Sequence, residues 1–141
     1  MKRIGIGVKG LITMGDKFLV LVKPNGELDL PGGRVEESER YVNALYREII
    51  EETGLKVKVQ AIISDWSFIK NKWLLITGAT YLCQYLSGRV ALSNEHSAYF
   101  WHPFCSVTQP NLSRWFSHKR GTTKRARSDV VCISSDKFIY T

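Results

Sequence analysis

The chain has 141 residues, with 20 lysines and arginines against 13 aspartates and glutamates, and a formal net charge of +7. That length suits one domain with a working core, because a chain of about 150 residues buries roughly two-thirds of its unfolded surface. A hydrophobic fraction of 44% and a charged fraction of 23% exclude general disorder, and no apolar run approaches the ~20 residues of a membrane span. The opening Met1-Lys2-Arg3-Ile4-Gly5-Ile6-Gly7-Val8-Lys9 starts like a secretory leader. Lys9 and Asp16 interrupt it, however, and no small-residue cleavage site follows. The cysteines, Cys83, Cys105 and Cys132, are odd in number and widely spaced, which fits neither zinc nor a disulfide framework and points to a reducing cytoplasm.

In chain order, Arg3 to Thr13 and Lys17 to Val22 read as strands broken at Gly15-Asp16, with a turn at Pro24-Asn25-Gly26 and a short extended piece at Leu28-Asp29-Leu30. From Glu39 to Thr53 the period becomes helical: Val42, Leu45, Tyr46, Ile49 and Thr53 mark one apolar face, Ser38 is the expected N-cap and Gly54 the stop. Lys56 to Asp65 and Trp73 to Leu86 read as long strands around a turn at Lys70-Asn71-Lys72, and Ala98 to Trp101 as one more. Asn111 is placed to cap a short helix carrying Leu112, Trp115 and Phe116. Strands around one strong helix predict an α+β or mixed α/β/α layout.

Charge divides the chain. Residues 1–95 carry 13 basic and 11 acidic side chains, residues 96–141 carry 7 and 2, and the surplus gathers between Arg114 and Arg127. A domain over residues 1–109 and a basic segment over 110–141, a short helix with an extended or flexible tail, are expected.

The helix carries its acids where a helix tolerates them least. Glu48, Glu51 and Glu52 lie at spacings of three and four, beside the apolar stripe. Each like-charge pair costs about 0.2–0.5 kcal/mol, and the C-terminal dipole opposes each exposed anion by about 0.3–1 kcal/mol. A divalent cation reverses both penalties, and hard oxygen donors favour Mg²⁺, with Mn²⁺ possible. The competing reading is a solvated acidic helix end. Pro31-Gly32-Gly33 stands just upstream, a turn that lets backbone approach a metal or a phosphate.

Gly33, five residues, Glu39, seven residues, then Arg47-Glu48-Ile49-Ile50-Glu51-Glu52-Thr53-Gly54-Leu55 matches all nine defined positions of the Nudix hydrolase signature. The segment resembles that family over residues 33–55. The flanks, with strands on either side and Leu92-Ser93-Asn94-Glu95-His96 leading to Trp101, are similar more loosely. The resemblance implies an α/β/α sandwich with a mixed central sheet and one catalytic loop-helix-loop. It also implies divalent-metal hydrolysis of a nucleoside diphosphate linked to another group. Glu51, Glu52 and the Gly32 carbonyl are then metal ligands, Glu48 is a ligand or the base that deprotonates water, and Glu39 and Arg47 pair to hold the site with Gly33 and Gly54. Glu95 is the candidate for an extra loop carboxylate, against a solvated loop acid. Repulsion among clustered carboxylates is expected to raise the proton affinity of at least one.

Substrate selection is less legible. Trp66 and Phe68 are the aromatic pair best placed for base stacking, against ordinary core packing, and Arg34 joins them as a substrate-binding candidate; His96 and His102 are weighed as phosphate contacts. The substrate classes left open are nucleoside triphosphate, ADP-ribose, nucleotide sugar and dinucleoside polyphosphate. Arg114, Lys119, Arg120, Lys124, Arg125 and Arg127 around Trp115 and Phe116 raise an RNA 5′-end pyrophosphohydrolase as an alternative, against a solubilising tail. A non-catalytic nucleotide-binding module is the alternative of another class. A homodimer is possible on the resemblance, and no membrane partner is expected.

Overall fold

The computed structural model describes residues 2–104, 131–134 and 137–140. Its core is a seven-stranded mixed sheet. Strand β1 (Arg3–Met14) is the spine, because it has three partners. One edge runs parallel to β6 (Leu74–Ser87) from Arg3↔Leu74 to Thr13↔Gln84. Along the other edge, β4 (Gly32–Arg34) covers Gly7 to Lys9 and β2 (Lys17–Val22) covers Thr13 and Met14, both antiparallel. Strand β2 in turn carries β3 (Leu28–Asp29) and β7 (Ala98–Pro103). Strand β5 (Lys56–Asn71) closes the far side as a long hairpin with β6, bulged at four points.

Period-two alternation splits β2 between two cores. Leu19 and Leu21 join Val8 and Ile12 beneath Ala44, Leu45 and Ile49 of the helix α1 (Tyr41–Thr53), while Phe18 and Val20 face the opposite side with Leu11, Leu30, Trp66 and Ile76. The helix rides close to β1 because Gly10 has no side chain: a Cβ there would lie 3.1 Å from the Ile49 Cδ1.

Several expectations are corrected here. Arg40, not Ser38, is the N-cap, and no side chain caps the helix; Ser38 instead turns the loop at φ 64°. Neither end of α1 carries dipole-matching charges, so tertiary packing holds it. Val42 is exposed, and Ala44 and Glu52 take places on the buried face. The β5–β6 turn lies at Lys72 and Trp73, because β5 continues through Asn71.

The described residues contain one helix, on one face of the sheet. The helix expected at Asn111 and the basic cluster from Arg114 to Arg127 lie outside the described residues. Within 110–141 the structure describes β8 (Val131–Ser134) paired antiparallel with β9 (Lys137–Tyr140). No helix among the described residues is long and apolar enough to cross a membrane.

Candidate active site

Two glycines let backbone reach the acidic helix. Gly32 has φ 146°, where a Cβ would strike the Val8 carbonyl oxygen, and a Cβ on Gly33 would sit 2.6 Å from the Glu48 carboxyl carbon. Strand β4 therefore presses directly against Glu48.

Arg47 fastens this loop to the helix. Its Nε and Nη2 donate to both Glu39 oxygens at 2.8 and 2.9 Å, and Nη2 also donates to the Arg34 carbonyl at 3.1 Å. Its Nη1 donates to Glu48 Oε1 at 2.9 Å and lies 3.5 Å from Glu51 Oε2. The Arg47 hydrogen bonds, helped by the Glu36 backbone N–H, hold the Glu39 carboxyl at about 2, below its ordinary 4.5. A depressed carboxyl stabilises the fold fully above its unfolded value, and that contribution is lost as pH falls. The wild-type melting temperature should thus drop more steeply between pH 4.5 and about 2 than that of Glu39→Gln, as a calorimetric pH series would show.

Of the three helix acids, Glu51 is exposed, Glu48 is mostly covered and Glu52 is buried. Burial is the largest influence on Glu52 and pushes its carboxyl to about 9; Lys9 opposes the rise, while Asp29 and Glu48 reinforce it. Carboxylate repulsion thus contributes, but desolvation dominates.

The helix terminus also positions the next loop. Gly54, at φ 73°, caps α1 through its N–H to the Ile50 carbonyl at 2.9 Å. The Thr53 and Glu52 carbonyls, left without helical donors, accept the Ala91 and Ser93 N–H groups at 2.9 and 3.4 Å. This lays the loop across the helix end and delivers Glu95 and His96 to Glu52. Donor atoms of these three residues lie within 4.8 Å of one another.

Beneath them runs a buried polar chain that sequence reasoning missed. His96 Nε2 lies 3.0 Å from Asp29 Oδ2, and Lys9 Nζ donates to Asp29 Oδ1 at 2.9 Å and to the Leu30 carbonyl at 3.1 Å. Burial alone would raise the Asp29 carboxyl, but the His96 hydrogen bond and the charge and hydrogen bond of Lys9 outweigh it and hold it low. A signal existed: Lys9 interrupts an apolar strand between Val8 and Gly10, where a charge survives only with a partner. His102 stands apart, in ring contact with Phe18 and Phe100.

Beside Gly33 opens a cleft of about 270 Å³ lined by Lys9, Lys23, Arg34, Lys70, Trp66 and Phe68, among others. Trp66 is largely buried and donates its indole N–H to Thr80 Oγ1 at 3.0 Å. Phe68 is partly buried, its ring 6.0 Å from the Trp66 ring and tilted by 30°. The carboxylates of Glu52 and Glu95 beside His96, with a buried Glu52 oxygen lacking any hydrogen-bond partner, fit a divalent cation by donor chemistry.

Known proteins resemble this chain in sequence and in fold. The NUDIX domain model matches residues 1–125. A MutT-like protein of Streptomyces ambofaciens is 30% identical over 98 residues, 68% of this chain and 62% of that protein. An ADP-ribose pyrophosphatase of Methanocaldococcus jannaschii is 39% identical over 66 residues, 44% and 39% of the two chains. The chain thus spans less than two-thirds of the length of these relatives. The crystal structure of a MutT protein from Methanosarcina mazei superposes with a TM-score of 0.67 at 29% identity, over 73% of this chain and 79% of that one. A UDP-X diphosphatase shares the fold at 23% identity and a TM-score of 0.67, over 84% and 59%. Because the NUDIX domain model matches 1–125 of the 141 residues, the chain belongs to the NUDIX domain family.

Proposed function

We propose that the protein hydrolyses the diphosphate linkage of a small nucleoside diphosphate derivative, using a divalent cation, Mg²⁺ or Mn²⁺, at Glu48, Glu51, Glu52 and Glu95, with the Gly32 carbonyl. The observation that carries this reading is the cationic, aromatic cleft sharing Gly33 with the carboxylate cluster. Lys23, Arg34 and Lys70 suit the phosphates, and Phe68, backed by Trp66, suits the base. An ion in the cluster supplies charge neutralisation on the diphosphate and acidifies the attacking water. The protein's own groups do the rest. Arg47 fixes Glu48 through its 2.9 Å hydrogen bond, holding the carboxylate where it either binds the ion or accepts the proton of water. Glu39 keeps Arg47 in place, and the Gly32-Gly33 turn admits the substrate to the carboxylates.

Names of relatives support the substrate class: one curated relative is called an ADP-ribose pyrophosphatase, and a similar structure a UDP-X diphosphatase. The test is a hydrolysis panel of nucleoside triphosphates, ADP-ribose, nucleotide sugars, dinucleoside polyphosphates and 5′-triphosphate RNA. Turnover of a free nucleotide supports the reading; turnover of RNA alone would transfer the activity to an RNA 5′-end role. With the preferred nucleotide, Phe68→Ala should raise KM by about 5–100-fold with kcat little changed, since base–aromatic stacking is worth about 1–3 kcal/mol. Steady-state kinetics check it.

A further inference from the structure

Glu52 Oε2 and His96 Nδ1 are both buried, and neither has a hydrogen-bond partner. They face each other across 3.6 Å. His96 is 6% exposed, so bulk solvent does not reach this pair. The far side of the ring explains why this pairing is unusual. Nε2 is engaged by Asp29 Oδ2 at 3.0 Å, which leaves Nδ1 as the ring nitrogen that faces Glu52. A ring nitrogen and a carboxyl oxygen buried opposite one another need a proton or a cation between them.

A proton would answer two atoms, but three donors converge. A Glu95 carboxylate oxygen lies within 4.8 Å of a donor atom of each residue, and because Glu95 is exposed it opens the cluster to solvent. The far nitrogen is anchored by a carboxylate that is itself neutralised by Lys9 at 2.9 Å. An imidazole oriented through its other N–H by a carboxylate is the usual support of a metal-ligating histidine.

We propose that His96 Nδ1 is a metal ligand, completing with Glu52 and Glu95 a mixed nitrogen–oxygen site for a borderline divalent transition ion of the Mn²⁺, Co²⁺ or Zn²⁺ class. Mg²⁺ favours oxygen donors and keeps its waters, whereas imidazole suits transition ions. This rests on the proposed hydrolase reading only in sharing Glu52 and Glu95. It adds metal selectivity to that site and gives Asp29 and Lys9 a positioning role.

Pulsed electron paramagnetic resonance of Mn²⁺ bound to the full chain tests it, because directly bonded nitrogen is read as a hyperfine coupling. The wild type should show an imidazole coupling that His96→Asn abolishes and His102→Asn retains. His96→Asn and Asp29→Asn should each weaken Mn²⁺ binding by about 10–100-fold, with a smaller loss of Mg²⁺ affinity. Mn²⁺ binding that needs Glu52 but shows no nitrogen coupling overturns the imidazole ligand and leaves the carboxylate site standing. Absence of any Mn²⁺ binding overturns both. If His96→Asn does not fold, nuclear magnetic resonance of cadmium-loaded wild type with labelled histidines replaces it. A cadmium–nitrogen coupling at His96 Nδ1 is expected. A ring protonated at both nitrogens with the ion bound would overturn the proposal and make His96 a positioning residue alone.

Discussion

Glu52→Gln is expected to lower kcat/KM on the true substrate by on the order of 10³-fold, the usual cost of removing one element of a charge-stabilising site. The fold should not pay for that loss. Glu52 is buried against Glu48, and burial pushes its carboxyl to about 9, so at neutral pH the protein free of metal holds a proton that the amide imitates in shape. The sign follows from the raised value. Stability contributed by the protonated group is full below its ordinary 4.5 and is lost as pH rises through about 9. In chelator, the wild-type melting temperature should decline across that interval while Glu52→Gln holds level. Activity lost with stability kept separates a functional carboxylate from a structural one, and paired kinetics and calorimetry read both.

Lys9→Met should produce the largest loss of stability. Lys9 and Asp29 are buried and 2.9 Å apart. Removing one partner of a buried pair leaves a stranded charge, which costs about 3–5 kcal/mol. For a chain of this size that is a fall in melting temperature of roughly 10–20 °C. Asp29 would keep only His96 and the Leu30 N–H, with no lysine at its carboxylate, and Glu52 would lose the cation that opposes its protonation. Replacing both partners, as Lys9→Met with Asp29→Leu, should recover part of the loss, because packing substitutes for a pair but not for half of one. The exposed Lys23–Glu27 pair, at 3.8 Å, sets the contrast: Lys23→Ala should change stability by no more than about 1 kcal/mol. Thermal melts of the variants decide it.

What could be read in the sequence is what is local. Helical spacing from Val42 to Thr53, Gly54 at the stop, and the β5–β6 hairpin all involve neighbours in the chain, so periodicity and turn residues carry them. The start of α1 was misplaced because Ser38 resembles an N-cap in composition, yet its positive φ belongs to the loop that Glu39 and Arg47 tie down. The parallel pairing of β1 with β6 joins residues some seventy positions apart and leaves no local mark.

The candidate site divides the same way. Glu48, Glu51 and Glu52 stand out because their charges conflict with one another and with the helix dipole. The delivery of Glu95 and His96 depends on backbone N–H groups of Ala91 and Ser93 reaching helix-end carbonyls, which no side-chain pattern records. Asp29 and Lys9 looked like a strand residue and an interruption. Only the meeting of β1, β3, α1 and the β6–β7 loop makes them a buried chain beneath the carboxylates.

The central claim is that water, activated at this carboxylate cluster, cleaves a diphosphate. Running the substrate panel in water labelled with heavy oxygen, with and without a divalent cation, and weighing the products by mass spectrometry tests it most directly. One labelled oxygen is expected in a single phosphoryl product of a nucleoside diphosphate derivative, absent without the cation and nearly absent in Glu52→Gln. Full label incorporation by Glu52→Gln, or no cleavage of any substrate on the panel, would contradict it.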